Sequence, residues 1–217
     1  MSNENKDFWD NYYKTTTHDI LKSSSFSSFV YENYIEKYNN DNVYLKIADI
    51  GSGNCRDTIF FASKKNLCYG IDINGVLDKE SINCKLIKKD VLSVFKKYEL
   101  NILFDIIYMR WFLHALPYHI SKDIFINAIH NLKHGGLISI EVRSINDNEL
   151  KKNSVYNETD KSFTTTHKRW LYSIDMCKEL ASSNGCYILY CEENYFSHNN
   201  NTETSNPLLI RFICKKL

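Results

Sequence analysis

The stretch IADIGSGNCRD, Ile47 to Asp57, decides the fold. A short apolar run that ends in a glycine-rich turn, with helical spacing beyond it, is typical of a β-strand whose following loop lets a ligand approach the backbone. A second apolar run, CYGIDIN, places a carboxylate at Asp72, 21 positions after Gly51. An acidic side chain at the end of a second strand can accept hydrogen bonds from a ribose. Together the turn and Asp72 predict a site for a nucleoside-containing cofactor.

The composition is that of a globular domain. The chain has 217 residues, of which 43% are hydrophobic and 24% charged, and its formal net charge is +1. These values indicate a single domain with a substantial core and argue against a general affinity for nucleic acid. The seven cysteines include no C-x-x-C, which indicates reduced thiols. No apolar run approaches the roughly 18 residues that span a bilayer, and the polar start MSNENKDFWD is unlike a secretory signal, so we expect a cytoplasmic protein without membrane insertion.

Apolar, β-branched runs alternate with segments of helical spacing along most of the chain. This alternation predicts a three-layer α/β fold around a mostly parallel, seven-stranded sheet. The last two strands are joined by SHNNNTETSN, which is too polar for a crossover helix and predicts a hairpin with an antiparallel last strand. The predicted strands are 44–50, 67–73, 85–89, 102–109, 137–142, 187–191 and 208–214, and the predicted helices between the first five are 57–65, 92–98 and 121–132.

Two segments stand outside this alternation. Residues 1–43 are rich in Tyr, Phe and Ser, and their apolar spacing predicts one or two helices that cap the sheet. Residues 144–170 contain a long polar stretch with little apolar periodicity, which is typical of a functional lid or of a disordered segment. We therefore expect one domain, 1–217, in which the first segment is a cap or lid and the second is a substrate-side insertion.

The glycine turn lacks one element of the dinucleotide fingerprint G-x-G-x-x-G, because no third glycine follows Gly53. This weakens the case for NAD. Asp49 before the turn, the turn itself, Asp72, and Asp90 in KKDV instead resemble class I S-adenosylmethionine-dependent methyltransferases, and the resemblance covers nearly the whole chain. The segments FDIIYMRWFLHAL and LKHGGLISIEVRS match the family's fourth and fifth strands. Cys55 departs from the family, which commonly has glycine there.

The resemblance implies a Rossmann-like methyltransferase fold with S-adenosylmethionine as the cofactor. In the family, the glycine turn packs against the methionine part of the cofactor, and the carboxylate matching Asp72 holds the ribose hydroxyls. The residue matching Asp90 meets the adenine amino group, with Val91 beside it. Arg56 suits a bond to the cofactor carboxylate, and an aromatic N-terminal helix can shield the sulfonium, because aromatic faces attract cations. The predicted cofactor-binding residues are Trp9, Tyr13, Ser25, Gly51, Gly53, Arg56, Asp72, Ile73, Asp90, Val91 and Arg110.

A narrower resemblance is to small bacterial methyltransferases of capsule and surface-polysaccharide gene clusters, including those for O-methyl phosphoramidate groups. It rests on the segments FWDNYY, SSSFSSF, GNCRDTIFFA, RWFLHAL, IEVRS with the nearby Asp147, and THKRW. This resemblance implies methyl transfer to a small anionic acceptor, such as a phosphate, a phosphoramidate or a phosphorylated sugar, in capsule or surface-glycan biosynthesis.

The acceptor-side candidates follow strands four and five, whose carboxyl ends face the ligand crevice in an open α/β sheet. Glu141 alternates with Arg143 on one strand face, so both face the ligand or pair with each other. An anionic acceptor would be bound by arginines, whereas a sugar hydroxyl would require a base, for which His114 or His167 is the candidate. The predicted catalytic residues are His114, His167, Arg110, Arg143, Arg169 and Glu141. The histidines show no zinc spacing, so we expect no metal.

Several other classes are weighed against this prediction. A sugar-hydroxyl or other small-molecule methyltransferase is the nearest alternative. A nucleic-acid methyltransferase is disfavoured, because YMRWFLHAL lacks the N/D-P-P-Y/F motif of the enzymes that methylate DNA amino groups. A nicotinamide-dependent oxidoreductase would require the missing glycine. A non-catalytic module that binds S-adenosylmethionine stays open, and the sequence does not predict an oligomeric state.

Overall fold

The computed structural model describes residues 3–15, 22–36, 44–96, 101–196 and 206–217. The strands within these ranges, numbered in chain order, are β1 (Lys46–Ile50), β2 (Leu67–Ile71), β3 (Cys84–Ile87), β4 (Phe104–Arg110), β5 (Leu132–Arg143), β6 (Val155–Asn157), β7 (Ser162–Thr164), β8 (Lys168–Arg169), β9 (Cys186–Asn194) and β10 (Leu209–Lys216). The helices are α1 (Asn3–Thr15), α2 (Ser25–Val30), α3 (Arg56–Ser63), α4 (Val91–Lys96), α5 (Tyr118–His130), α6 (Asn148–Lys152) and α7 (Ile174–Ser182).

The main sheet has seven strands in the order β3-β2-β1-β4-β5-β10-β9. The first five are parallel to their neighbours, whereas β10 runs antiparallel to both β5 and β9. The predicted mostly parallel sheet with a reversed last strand is therefore confirmed. Because β1 lies centrally and the order reverses between β1 and β4, the ends of these two strands border the crevice where ligands bind in such sheets.

Each face of the sheet is covered by its own apolar core. One core contains side chains of α4, α5 and α7, such as Phe95, Phe125 and Leu180. The other contains side chains of α2 and α3, such as Phe26 and Phe61. The three-layer architecture is thus confirmed. Of the segment predicted to cap the sheet, α2 and the π-helical turn that follows it, Tyr31–Ile35, pack on the second face.

The 144–170 segment differs from the expected irregular loop. It contains α6 and a small antiparallel sheet in the order β6-β7-β8. Asn157 accepts a hydrogen bond from the backbone of Thr159, and Lys161 has a φ of 59°, so a tight turn joins β6 to β7. Strands of two or three residues are too short for hydrophobic alternation to be visible in the sequence, which explains why the prediction missed them.

None of the helices in the described ranges has both the length and the apolar character needed to cross a membrane.

Candidate active site at the carboxyl edge of the sheet

The glycine turn after β1 has the strained backbone that its sequence predicts. Gly51 and Gly53 have φ values of +71° and +54°, and the N–H of Gly51 donates to the Ile71 carbonyl at 2.9 Å. A Cβ atom on Gly51 would lie 2.5 Å from Cδ2 of Phe112, so the absence of a side chain lets the segment after β4 pack on the turn. Cys55 also adopts a left-handed conformation, with a φ of 57°. The backbone shape that glycine commonly supplies is therefore kept with cysteine.

Asp72 follows β2 and its carboxylate faces the glycine turn. Its Oδ2 accepts a hydrogen bond from the Gly53 N–H at 2.9 Å, and its Oδ1 accepts one from the Asn74 N–H at 2.8 Å. Burial raises the pKa of Asp72, although these backbone bonds oppose the shift. A carboxylate has about four acceptor positions, so two bonds orient the group and leave capacity for ligand hydroxyls. The neighbouring Ile73 is exposed.

Three further cofactor candidates lie on the helices next to this turn. Asp90 caps α4, because its Oδ1 accepts hydrogen bonds from the backbone of Leu92 and Ser93 at 2.9 and 3.2 Å. The Val91 side chain is buried in the apolar core. Arg56 is the first residue of α3 and is half-buried. Contact of these residues with a cofactor stays a prediction.

The N-terminal candidates are spread over different parts of the molecule. The Ser25 hydroxyl accepts a hydrogen bond from Nη2 of Arg211 at 2.7 Å and so ties α2 to β10. The Trp9 ring lies 4.9 Å from the His167 ring, on the predicted acceptor side. Tyr13 belongs to α1, but its side chain lies outside the described residues.

Asn5, which was not among the predicted residues, holds α1 across the carboxyl edge of the sheet. Asn5 is fully buried, its Nδ2 donates to the carbonyls of Ala115 and Lys168 at 2.9 and 3.0 Å, and its Oδ1 accepts from the Lys168 N–H at 3.0 Å. The carbonyl of Lys6 accepts a hydrogen bond from Nδ2 of Asn74 at 3.2 Å. Helix α1 therefore joins the segments that follow β2 and β4 to β8.

Glu141 lies in a buried row of charges across β4, β5 and β10. It is fully buried, its Oε1 lies 3.2 Å from Nε of Arg110, and its Oε2 lies 2.8 Å from Nε of Arg211. Arg143 forms its ion pair with Asp147, at 3.2 Å. Of the two alternatives considered for Glu141 and Arg143, the ion pairs seen are with other residues and not between the two. Each carboxylate oxygen thus lies beside an arginine, and the catalytic role of Glu141 stays a prediction.

A second buried carboxylate links the glycine-turn helix to the N-terminal segment. Asp57 accepts hydrogen bonds from the backbone and hydroxyl of Ser24, both at 2.7 Å, from the Ser27 hydroxyl at 3.0 Å and from the Tyr108 hydroxyl at 2.9 Å. Burial acts to raise the pKa of Asp57, but the charge of Arg110 and the bonds from Ser24 lower it below the usual range. No role was predicted for Asp57, because its hydrogen-bond partners are distant in the chain.

Asp49, the acidic residue before the turn, is buried and accepts a hydrogen bond from the Thr58 hydroxyl at 2.6 Å. Burial raises the pKa of Asp49 to about 7, the charge of Asp57 adds to the shift, and Arg110 opposes it. Arg110 thus acts on both carboxylates near the turn.

His114 lies in the 3₁₀ turn Leu113–Ala115 after β4 and is buried. Its Nδ1 accepts a hydrogen bond from the backbone N–H of Arg143 at 3.2 Å. Burial lowers the pKa of His114 well below its usual range, and the charges of Arg169, Arg143 and Arg110 lower it further. Three of the predicted arginines, from β4, β5 and β8, therefore act on one imidazole.

His167 is 8% exposed and lies under α1. Its ring centroid is 4.5 Å from that of Phe8, and its Nδ1 lies 3.1 Å from the Thr166 hydroxyl. Burial lowers the pKa of His167 to about 3, with Arg169 and Arg143 adding to the shift. A depressed pKa makes an imidazole a weaker base, so burial and the nearby arginine charges count against the base role considered for either histidine.

Trp111 marks the junction between the two halves of the site. It has a φ of 57°, which is strained for a bulky side chain, and its N–H donates to the Glu141 carbonyl at 2.9 Å. The Arg110 guanidinium lies 4.5 Å from the centre of the Trp111 ring. Backbone strain of this kind clusters at functional sites, and here it redirects the chain from β4 into the turn that carries His114.

The predicted residues thus separate into two groups along one edge. Gly51, Gly53, Arg56 and Asp72 lie at or beside the turn. The second group lies around the segment after β4 and consists of His114, His167, Arg110, Arg143 and Arg169. Within the described ranges, no group of three or more His, Cys, Asp or Glu side chains is arranged to hold a metal ion.

Comparisons with known proteins bear on the fold. A scan against protein-family models and a search of the curated proteins gave no match. Solved structures do match. A methyltransferase from Methanosarcina mazei is 20% identical, with a TM-score of 0.60, over 85% of this chain and 98% of that one.

Two functionally described structures are also similar. Magnesium protoporphyrin IX methyltransferase of Synechocystis, with bound S-adenosylhomocysteine, is 12% identical with a TM-score of 0.60, over 99% of this chain and 86% of that one. The 1,6-didemethyltoxoflavin-N1-methyltransferase of Burkholderia thailandensis, also with S-adenosylhomocysteine, is 13% identical with a TM-score of 0.62, over 98% and 86%. The chain therefore has the Rossmann-like fold of S-adenosylmethionine-dependent methyltransferases.

Proposed function

We propose that the protein transfers a methyl group from S-adenosylmethionine to a small anionic acceptor. The observation that carries the proposal is the pairing of two sites on one sheet edge: a glycine turn with an oriented carboxylate at Asp72, and a cluster of arginines around His114. Arg110 lowers the pKa of both Asp57 and His114, so its charge reaches both sites.

The residues of the turn fit the methyl donor. The two backbone bonds to Asp72 leave acceptor positions for the ribose hydroxyls, and the turn beside it presents backbone rather than side chains. When bound, S-adenosylmethionine supplies a methyl group that an acceptor oxygen takes by in-line displacement, with the sulfur leaving as a neutral thioether. For such a reaction the protein mainly aligns the reactants and excludes water, which is worth on the order of 7 kcal/mol or more.

An anionic acceptor accounts for the electrostatics of the second site. The depressed pKa values of His114 and His167 are partly caused by Arg143 and Arg169, so these positions experience a positive potential. A phosphate or phosphoramidate oxygen is already ionised and needs no base, and arginine forks suit it. A neutral hydroxyl would need a proton acceptor that the two imidazoles supply poorly.

Helix α1 and the 144–170 segment are the proposed lids of a single domain, 1–217. Asn5 fixes α1 to the segments on either side, and the Phe8 and Trp9 rings cover His167. A lid of this kind would exclude water during transfer. The proposed place in capsule or surface-glycan biosynthesis rests on the sequence segments alone.

The donor site is tested by calorimetry with S-adenosylhomocysteine and, separately, NAD. We expect binding of the first and not the second, and Asp72→Ala should abolish it. Asp78→Ala is a matched control, because Asp78 is an exposed carboxylate in the same loop. Binding of NAD alone would overturn the proposal.

The acceptor site is tested by a homocysteine-release screen against phosphorylated sugars, phosphoramidates and nucleotide-linked intermediates. Arg143→Ala should retain S-adenosylhomocysteine affinity and lose turnover. Equal loss of cofactor affinity in Asp72→Ala and Arg143→Ala would refute the division into two sites. Turnover of neutral sugars alone would favour a hydroxyl acceptor, and binding without turnover of any acceptor class would favour a non-catalytic module.

A further inference from the structure

The hydrogen bond to His114 fixes the protonation state of its ring. Because the donor is the backbone N–H of Arg143, Nδ1 must present its lone pair and cannot carry a proton. In a neutral imidazole the proton then resides on Nε2, which is a donor. The distance of 3.2 Å and the burial of the ring hold this arrangement in place.

The groups that act most strongly on the ring include no anion, and the carboxylates of Glu141 and Asp147 are paired with Arg110 and Arg143. The charged or titratable groups that act on it are Arg110 from β4, Arg143 from β5, and His167 and Arg169 at β8. Among the described residues, the hydrogen bond of the His114 ring is the one that Nδ1 accepts from the Arg143 N–H, and Nε2 has no acceptor. A donor without a protein acceptor, on a largely buried ring near arginines, is suited to an anionic oxygen from a ligand.

We propose that His114 is a neutral hydrogen-bond donor to the anionic acceptor, through Nε2–H, and that it is not a general base. This deepens the proposed function and rests on it. The arginines attract the anion by their positive charge, whereas Nε2–H donates one hydrogen bond, which orients one oxygen of the acceptor. The loss of such a bond to a charged group would weaken binding about 10- to 100-fold.

The test uses the full-length protein with ¹⁵N-labelled histidine and methyl phosphate as the probe. NMR should show His114 as a single neutral tautomer, protonated on Nε2, from pH 5 to 8. Methyl phosphate should shift that Nε2–H resonance. A protonated Nδ1, or a titration of His114 between pH 5 and 8 in the free protein, would overturn the proposal.

Two variants separate the donor from the structural hydrogen bond. In His114→Asn, the amide oxygen can still accept from the Arg143 N–H, but the donor at the Nε2 position is lost. We expect about 10- to 100-fold weaker methyl phosphate binding with unchanged thermal stability. His119→Asn is the control, since His119 is exposed on α5 and should bind like the wild type.

The cofactor is measured on the same samples. If S-adenosylhomocysteine binds but His114→Asn retains wild-type affinity for methyl phosphate, the donor role is refuted while the proposed function stands. If the tautomer and the phosphate effect are as expected but S-adenosylhomocysteine does not bind, the donor role of His114 toward an anion stands and the methyl-transfer proposal fails.

Discussion

Replacing Asn5 by alanine would test whether α1 is a lid or an integral part of the domain. Among the described residues, the substitution removes three hydrogen bonds, two donated to the Ala115 and Lys168 carbonyls and one accepted from the Lys168 N–H. At about 1 kcal/mol for each bond, the docking of α1 loses about 3 kcal/mol. That loss corresponds to an increase of about 100-fold in the open population of α1, because each 1.4 kcal/mol changes an equilibrium tenfold.

Hydrogen exchange resolved by residue is the appropriate assay. In Asn5→Ala, the amides of α1 should exchange about 100-fold faster, whereas those of β1 and β4 should be unchanged, because a lid opens without unfolding the sheet. Asp7→Ala lies on the same helix at an exposed position, and a surface change of this kind should alter exchange by no more than about twofold. Equal acceleration in the sheet would show that α1 unfolds with the domain, and unchanged α1 exchange would show that Asn5 does not anchor it.

Three other substitutions probe the site and its buried charges. Gly51→Ala should lower the free energy of unfolding by clearly more than Gly185→Ala. Both glycines have positive φ, but of the two only Gly51 would bring a Cβ atom into a clash, at 2.5 Å from Phe112. Equal losses in urea unfolding would contradict this. Glu141→Gln should cost about 3–5 kcal/mol in the same assay, since it leaves the buried Arg211 and the partly buried Arg110 without their carboxylate. A loss below about 1 kcal/mol would show that the row of charges behaves as an exposed one. The pKa of Asp49 in the folded protein is about 7, which is above its pKa in the unfolded chain. The folded state therefore keeps a proton that the unfolded state releases, and the free energy of unfolding falls as the pH rises to about 7. Asp49→Asn should therefore reduce the loss of stability between pH 5 and pH 8 by about 3 kcal/mol, and an unchanged pH dependence would refute the raised pKa.

The fold was predictable because each of its main determinants is local. The runs that form β1, β2 and β4 are mostly apolar and rich in isoleucine or aromatic residues, and the polar segment before β10 identifies the reversed hairpin. Element boundaries were less accurate. The strand β5 begins at Leu132 rather than at residue 137, because Leu132 pairs with Phe104 across the sheet before the main register with β4 begins. A pairing of that kind depends on a partner strand and leaves no periodic signal.

The site was predictable only where function follows from position on a strand. Asp72 and His114 were found because they come directly after β2 and β4, whose ends face the crevice. Asn5 and Asp57 were missed, since each derives its role from partners that are distant in the chain. Glu141 was placed on the correct strand, but its partner Arg211 lies on β10, and no pattern within either strand indicates that pairing.

The separation of charges along the sheet edge suits the proposed reaction in a further respect. Asp57 and Asp72 lie near the glycine turn on the donor side, and Arg143 and Arg169 act on the two histidines of the acceptor side. A sulfonium donor is positive and a phosphate acceptor is negative, so each reactant is attracted to the side that carries the opposite charge. Methyl transfer turns the sulfonium into a neutral thioether and removes one negative charge from the acceptor, so both products are held less strongly than the reactants.

Salt should therefore weaken the binding of S-adenosylmethionine more than that of S-adenosylhomocysteine, because screening acts on the charge that distinguishes them. Equal salt dependence of the two affinities would show that the carboxylates do not act on the sulfonium.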